Sequence, residues 1–274
     1  MNTSQKALEK WTKRKTNPMK VTGWALAGTG AVALVVSTIY SSSILAFIGL
    51  GLLFWGLILS YIQTEEYVKS NLLEATALSS LESLDQIMTE LHYTGKAVYL
   101  PPKYLRDPEE NKAYIPKQEI AKLPTPEQTQ EQENQVFSER LQAMILTPPG
   151  AELTKLFEKT LGTTFTKEDM AFLQQNMPKL LVEDLEMAQS FEMTSESNQI
   201  HVKIESPAYA SLTKQTENLS RLHTGIGCPL SSAIACALAK ATGKPIIIEN
   251  QETSENGKSI SINYRVLVEE KKEQ

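Results

Sequence analysis

A long apolar stretch followed by mixed polar sequence dominates the hydrophobic pattern. Residues 21–64 contain no charged side chain, whereas charged residues are frequent on both sides. A membrane-spanning helix needs about 20 apolar residues, so the stretch has room for two, at about 21–40 and 43–63. Ser41 and the serines beside it lie where a tight turn would join the two helices. The pattern therefore predicts a transmembrane helical hairpin.

The length of the stretch excludes two alternatives. A single helix would have roughly twice the usual span, and a cleaved signal peptide has an apolar core of only about 7–15 residues. Aromatic side chains that favour the membrane interface lie at or near the ends of the two helices, at Trp24, Tyr40, Trp55 and Tyr61. Because no ionisable residue lies within the span, an ion or proton path has no candidate side chain. We therefore expect an anchor and no transport path.

Glycines inside the apolar stretch allow two interpretations. They would let the two helices pack closely, and the candidates are Gly28, Gly30, Gly49, Gly51 and Gly56. Glycine is also common in membrane helices in general. We favour the second interpretation at this point.

A single helix is predicted over residues 65–93, which contain neither proline nor glycine. Apolar residues recur there at a helical, heptad-like spacing, at Ala77, Leu81, Leu84, Met88 and Leu91. Such a face either forms a coiled coil, and hence a homo-oligomer, or packs on the chain's own domain. We favour packing on the domain, because the pattern covers barely two heptads and a convincing coiled coil needs about three to four.

Residues 96–146 predict a small hairpin followed by a polar linker. The strands at 97–102 and 113–116 each end at proline, which cannot continue a central ladder, so they fit the edge of a sheet. Residues 118–135 are rich in Gln and Glu and have too little apolar content for a core.

Three short helices are predicted between residues 147 and 188. The first opens at Pro148 and Pro149 and closes at Gly162, the second has Thr166 as N-cap, and the third spans 180–188.

This helical segment does not have the charge of a DNA-binding domain. Residues 165–193 contain two lysines and six acidic side chains. Contacts to phosphates need the opposite balance, so we expect no nucleic-acid partner.

The last third of the chain alternates between strand and helix patterns. Residues 199–206 predict a half-buried strand, 223–245 a loop that opens a helix, and 246–250 a second strand. A turn at Asn256 and Gly257 then leads into a third strand, at 259–268. Residues 147–274 are therefore expected to form an α+β domain, an antiparallel sheet with helices on one face.

The distribution of charge predicts the orientation in the membrane. The net charge is −5, yet residues 1–20 carry six basic residues and one acid, so the chain beyond residue 64 carries a net −10. Basic residues beside a span favour the cytoplasmic side. A hairpin then places both termini in the cytoplasm, as a multi-pass protein of the cell membrane. Two cysteines exclude a disulfide-rich secreted fold.

Three segments near the C-terminus follow one another in the order VKIESPAYASL, CPLSSAIACALAKATGKPIIIEN and YRVLV. This order resembles that of the 4-vinyl reductase-type, hydrocarbon-binding domain. The matching positions cover about a quarter of the chain and are Ser206, Pro207, Ala208, Cys228, Gly243, Glu249 and Gly257. The resemblance implies that fold and an apolar pocket for a small apolar ligand between helices and sheet. Members often carry cysteines beside the final turn, and this chain has none there, so no metal site is carried over. The whole chain also resembles uncharacterised archaeal membrane proteins with two helices.

Cys228 is the best candidate for chemistry. It follows Gly225 and Gly227 at a predicted helix N-terminus, where backbone N–H groups favour a thiolate or an anion, and His223 lies five residues upstream. Such a pair suits a nucleophile and its base. The alternative, which we favour, is a buried thiol in a tight glycine turn.

We take Gly225, Gly227, Cys228 and Glu249 as the candidate ligand-binding residues. Cys228 and Cys236 are eight residues apart, which matches no zinc pattern, and Cys236 is expected in the core. Nucleotide, hydrolase and kinase signatures are absent from the sequence, so we expect neither a metal nor a cofactor.

Three functions remain open. The first is a membrane-anchored protein with a cytosolic small-molecule-binding or regulatory domain. The second is a membrane-anchored scaffold that binds a protein partner through an exposed apolar patch. The third is a thiol enzyme, which would need an exposed Cys228 within reach of His223. We rank them in this order and expect a protein that is not an enzyme.

Overall fold

The structure, a computed structural model, describes residues 18–61, 70–118, 123–254 and 257–268. The chain divides into two compact units, Met1–Val68 and Lys69–Gln274. We call them the helical unit and the globular unit, and each is described by itself.

Two helices, α1 (Pro18–Tyr40) and α2 (Ser43–Tyr61), form the described part of the helical unit. They pack against each other and are joined by a tight turn in which Ser41 has a φ of 49°. The Ser42 N–H donates to the carbonyl of Ser37 over 3.2 Å, which closes the first helix. The predicted pair of apolar helices is confirmed, although α1 begins earlier than predicted and residues 62–63 lie outside the described residues.

Four glycines allow the close approach of α1 and α2. A Cβ on Gly30 would lie 2.5 Å from the backbone nitrogen of Leu53, and a Cβ on Gly23 would lie 2.7 Å from that of Ser60. A Cβ on Gly56 would lie 2.4 Å from the nitrogen of Ala27, where no side chain fits, and one on Gly49 would make tight contacts of 3.0 Å with α1. We call these four residues the glycine seam.

The glycine seam decides between the two interpretations of the glycines. Gly30, Gly49 and Gly56 do mediate packing, whereas a Cβ on Gly28 or Gly51 would meet nothing within 4 Å. The favoured interpretation, that the glycines only reflect membrane-helix composition, therefore holds for these two and is wrong for the others.

The globular unit combines helices with one antiparallel sheet. Its described helices are α3 (Ser70–Glu90), α4 (Pro126–Gln132), α5 (Ala151–Leu161), α6 (Met170–Lys179), α7 (Ala210–Thr216), α8 (Ser220–Gly225) and α9 (Pro229–Thr242). Its described strands are β1 (Val98–Tyr99), β2 (Ala113–Pro116), β3 (Phe137–Ser138), β4 (Ala143–Leu146), β5 (Ser190–Glu196), β6 (Gln199–Glu205), β7 (Ile246–Thr253) and β8 (Ser259–Val266). The strand order is β3-β4-β2-β1-β7-β8-β6-β5, so the α+β class is confirmed.

The prediction of an edge hairpin before residue 117 is wrong. β1 pairs with both β2 and β7, and β2 also pairs with β4, so both strands lie inside the sheet. Proline is tolerated there because Pro101 follows β1 and Pro116 is the last residue of β2. A proline at the end of a strand removes little from the ladder.

The prediction of a polar linker is also wrong. It contains α4, whose N-cap Thr125 forms a reciprocal capping box with Gln128. β3 and β4 then add two strands to the sheet. Residues 96–146 therefore belong largely to the globular unit, while residues 119–122 lie outside the described residues.

The helical segment after residue 147 partly follows the prediction. α5 ends at Gly162, which has a left-handed φ of 69°, as expected for a C-cap. Asp169, and not Thr166, caps the next helix, because its carboxylate accepts from the Phe172 N–H over 2.8 Å. The third segment continues α6 as a π-helical turn, Leu180–Asp184, after a proline at position 178.

The main core lies between the sheet and α9, a helix that is buried on every side from Leu230 to Lys240. A second, smaller core lies on the opposite face of β1, β2 and β4, and α4 packs on the 3-10 turn Pro102–Tyr104 at that place. This half of the sheet therefore has an apolar core on both faces, which the sequence pattern did not predict. On the other half, β6 alternates buried and exposed residues as expected.

The heptad-like face of α3 packs on the globular unit. Leu81 and Met88 are buried in the main core, and Ala77 and Leu84 pack against it, whereas Leu91 is exposed. α3 contacts α7 and α8. A homo-oligomer through residues 65–93 stays a prediction, and residues 65–69 lie outside the described residues.

Candidate functional site

The connection between α8 and α9 contains three of the four predicted ligand-binding residues. Gly225, Gly227 and Cys228 lie there side by side in the main core. The N–H groups of Ile226 and Gly227 both donate to the Leu222 carbonyl over 2.8 Å. These donors are used within the chain, so this turn is not built to hold an anion.

Gly227 is required by the geometry of this turn. Its φ is 82°, and a Cβ would lie 2.6 Å from Ser231 Oγ and 2.8 Å from Ile248 Cδ1. Both the left-handed backbone and the close contacts exclude a larger residue. The turn is therefore pressed directly onto β7.

Cys228 is the N-cap of α9 and is fully buried. Its Sγ accepts from the N–H and the hydroxyl of Ser231, both over 3.4 Å. No hydrogen bond joins it to His223 among the described residues. The thiol enzyme hypothesis needs an exposed thiol paired with this histidine, and the structure provides neither feature.

Two tyrosines that sequence reasoning did not identify hold this turn against the sheet. The hydroxyl of Tyr99 donates to the Ile226 carbonyl, and that of Tyr264 donates to the Ser231 carbonyl over 3.0 Å. Burial raises the pKa of both tyrosines well above the ordinary value. Burial also raises the pKa of Cys236 to about 12, so these three groups remain protonated at neutral pH. Their role is structural, and Cys236 lies in the core as predicted.

Glu249 does not join the other three predicted residues. It lies in a β-bulge between Ile248 and Asn250, and its carboxylate pairs with Arg265 Nε over 3.0 Å. Ile248 faces the main core, and so do Tyr264 and Val266 on β8. Because side chains alternate along a strand, Arg265, which lies between those two, points to the other face of the sheet. The sheet therefore separates Glu249 from Cys228.

Three buried polar atoms near this turn lack a hydrogen-bond partner among the described residues. They are His223 Nδ1 on α8, and Gln251 Nε2 and Thr253 Oγ1 on β7. α8 packs against β7. We call this group the α8–β7 polar group. Sequence reasoning named His223 but missed Gln251 and Thr253, because the predicted strand stopped at residue 250, before both of them.

Gln251 connects the polar group to the turn. Its side chain is only 6% exposed, and its Oε1 accepts from the Cys228 N–H over 3.4 Å. This bond uses the oxygen and leaves the amide nitrogen as a free donor inside the protein. An unmatched buried donor costs about 1–3 kcal/mol, so such groups call for an explanation.

A surface depression at the N-terminus of α6, lined by Lys167, Asp169 and Phe172 among others, is wide open to solvent. Within the described ranges, no group of three or more His, Cys, Asp or Glu side chains is arranged to hold a metal ion.

Helices of membrane-spanning length and composition occur in both units. In the part of the chain that the structure describes they are Thr22–Tyr40, Ser43–Tyr61 and Ser220–Thr242. The last comprises α8 and α9 with their turn and is mostly buried in the globular unit.

A family model described as a domain of unknown function, DUF7982, matches residues 2–265. No curated protein and no solved structure matches the chain. Because the match spans nearly the whole sequence, the chain belongs to the DUF7982 family.

Proposed function

We propose that this member of the DUF7982 family is anchored in the cell membrane by α1 and α2, with a cytosolic globular unit that binds a small molecule or regulates a partner. The observation that carries the anchor is the outer surface of the helical unit. Large apolar side chains cover it, with exposed fractions above one half at Val32, Ile44, Phe47, Phe54 and Trp55. In water such a surface would be unstable, whereas a bilayer would cover it.

The inner surface of the helical unit supports an anchor without a transport path. The glycine seam brings the two backbones into contact, so that no channel lies between them. Since residues 21–64 contain no charged residue, the pair also lacks the side chains that move ions or protons.

Membrane insertion and orientation can be tested together. The full chain is expressed with alkaline phosphatase or a fluorescent protein fused after Gln274. We expect the protein to resist extraction by alkaline carbonate, the phosphatase to be inactive and the fluorescent protein to be bright. Release by carbonate would contradict the anchor, and an active phosphatase would contradict the cytoplasmic C-terminus.

Small-molecule binding is supported by two observations. The C-terminal segments resemble a hydrocarbon-binding domain, and β6, α9, β7 and β8 follow in the expected order. The α8–β7 polar group leaves three buried hydrogen-bonding atoms unmatched, and its member Gln251 accepts from the N–H of Cys228, the N-cap of α9. Native mass spectrometry of the full chain, released from lipid nanodiscs, tests this part. We expect an additional mass that disappears on denaturation, and a bare chain mass in every preparation would contradict it.

A second candidate function is a scaffold for a protein partner. Ile87 and Leu91, one turn apart at the end of α3, are 41% and 42% exposed. Val136 and Phe137 are exposed to a similar degree. The ring of Phe137 also contacts that of Tyr93, with 6.4 Å between centroids. Such apolar surface favours a protein contact. The variant Leu91→Glu would abolish binding of a partner but would leave a bound small molecule in place, which distinguishes the two functions.

A further inference from the structure

We infer that the α8–β7 polar group is a binding site for a small uncharged molecule that carries a carbonyl or hydroxyl oxygen. This inference rests on the proposed small-molecule function and assigns a place and a ligand class to it. It starts from the observation that all three unmatched buried atoms recorded in the described residues belong to two elements in contact, α8 and β7.

The arrangement of β7 makes these atoms face the same side. Gln251 and Thr253 are two residues apart on the strand, so their side chains point to the same face of the sheet. That face is the inner one, since Gln251 accepts from Cys228 N–H in the main core. α8, which carries His223, also packs against β7.

The donors and acceptors define the chemistry of the guest. Gln251 Nε2 can only donate, so the guest must present a hydrogen-bond acceptor to it, and oxygen is the commonest. Thr253 Oγ1 donates or accepts, and His223 Nδ1 does either according to its tautomer. A carbonyl or hydroxyl compound matches this set, and a pure hydrocarbon leaves all three atoms unmatched.

We expect an uncharged guest because none of the three unmatched atoms belongs to a group with a fixed charge. The three unmatched atoms belong to an amide, a hydroxyl and an imidazole. Of the charged groups beside α8, the carboxylate of Asp85 already accepts from the N–H groups of Arg221 and Leu222. Burying an unpaired ion is far more costly than burying a neutral polar group.

The test uses the full chain in lipid nanodiscs and acetamide as the probe. Acetamide carries a carbonyl acceptor and an N–H donor, and acetate is a charged control of the same shape. Binding is followed by the methyl resonance of Ile248, whose Cδ1 lies beside Gly227 and hence near Gln251. We expect a saturable shift with acetamide and at least about tenfold weaker binding of acetate.

Two variants localise the binding. Thr253→Val keeps the shape of the side chain but removes the hydroxyl, and the loss of one neutral hydrogen bond should weaken acetamide about fivefold. The matched control Thr194→Val, at an exposed position of β5, should leave binding unchanged. Gln251→Met is expected to abolish binding. If Gln251→Met does not fold, the affinity of Thr253→Val alone still tests the site.

Each outcome has a distinct meaning. No saturable shift, equal affinity in Thr253→Val, or tighter binding of acetate would overturn the site or its ligand class. A bound mass in native mass spectrometry that persists in Thr253→Val and in Gln251→Met would retain the proposed function but place the ligand elsewhere. Absence of both the bound mass and the acetamide shift would overturn the function and the site together.

Discussion

Lys240 shows how a single buried charge connects several elements of the globular unit. Its ammonium group donates to both carboxylate oxygens of Glu158 over 3.2 Å and to the Glu109 carbonyl over 3.1 Å. The two side chains are only 3% and 12% exposed. Glu158 also accepts from the Phe165 N–H over 2.9 Å. One ion pair therefore joins α9 to α5 and to the loop before α6.

Removal of Lys240 should lower the free energy of unfolding. In Lys240→Met the Glu158 carboxylate stays buried without its cation, so we expect the free energy of unfolding to fall by about 3 kcal/mol. Urea denaturation of the full chain, followed by circular dichroism, measures the change. Lys155→Met is the control, because the Lys155–Glu152 pair is exposed and should contribute less than about 0.5 kcal/mol. A loss as small as the control's would show that the pair is not buried in solution.

The buried hydroxyl groups of Tyr99 and Tyr264 and the buried thiol of Cys236 predict a loss of stability at alkaline pH. Burial raises the pKa of Cys236 to about 12 and those of Tyr99 and Tyr264 well above their ordinary value. Between about pH 9 and 11 the unfolded chain releases these protons and the folded chain keeps them, so the free energy of unfolding falls as pH rises.

A tyrosine variant isolates one of these protons. Tyr264→Phe removes one ionisable group, so the decline of stability between about pH 10 and 11 should become shallower by up to about 1.4 kcal/mol per pH unit. At neutral pH the variant should lose about 1 kcal/mol, because the bond to the Ser231 carbonyl is gone. Urea titrations across this pH range give both quantities. An unchanged alkaline slope would mean that the hydroxyl is not buried.

At the scale of elements, Asp85 ties α3 to the rest of the globular unit. Its Oδ1 accepts from the N–H groups of Arg221 and Leu222 over 2.9 and 2.8 Å, at the start of α8. A carboxylate in this position satisfies donors that a helix of six residues cannot pair internally.

We therefore expect Asp85→Ala to lower the free energy of unfolding by about 1–2 kcal/mol. Hydrogen exchange should increase in α8 first, because its first-turn donors lose their acceptor. Glu82→Ala, at an exposed position on the same helix, is the matched control and should change stability by less than about 0.5 kcal/mol. Equal effects of the two substitutions would contradict the cap.

The glycine seam makes a comparable prediction for the helical unit. Gly30→Leu would force a side chain into the backbone of Leu53, whereas at Gly28 a Cβ meets nothing within 4 Å, so Gly28→Leu is the control. Spin labels at Thr29 and Leu50 report the distance between α1 and α2 in nanodiscs. We expect a narrow distribution in the parent chain and the control, and a longer, broader one in Gly30→Leu. The same distribution in all three would show that the seam does not mediate packing.

Elements with a strong local signal could be predicted from the sequence. Gly243, with a left-handed φ of 62°, ends α9, and Pro229 and Cys228 begin it as expected. β5 was missed because its sequence, SFEMTSE, is mostly polar and acquires its strand conformation from pairing with β6. A polar strand at the edge of a sheet leaves little local pattern.

At the scale of the whole molecule, long-range pairing was beyond sequence reasoning. β1 has only two residues, yet it joins the strands before residue 147 to the C-terminal strands through β7. The same pairing gives the sheet its second core, with Ile247 beside Val98. Neither contact has a periodic signature, because both depend on residues about 150 positions apart.

The candidate site was predicted only in part for the same reason. Gly225, Gly227 and Cys228 are adjacent in sequence and could be grouped by motif. Their partners Tyr99 and Gln251 come from distant strands, and only the folded sheet brings them to the turn. Glu249 was assigned to the same site, but a β-bulge places it on the other face.

The orientation of the proposed anchor depends on charge outside the apolar stretch. The serine turn between the helices is uncharged, and Glu65 and Glu66 directly follow the stretch, so the six basic residues before it supply the asymmetry. Because basic residues are retained on the cytoplasmic side, replacing all six by Gln should remove the preference.

Inversion of the anchor is the strongest form of this prediction. With the tail neutralised, adding Ser41→Lys and Ser42→Arg should move the turn to the cytoplasm and both termini to the outside. Alkaline phosphatase fused after Gln274 should then become active, whereas it stays inactive in a control in which each tail lysine is replaced by Arg. An inactive fusion in the inverted design would show that the globular unit, and not the basic tail, determines the side on which the chain folds.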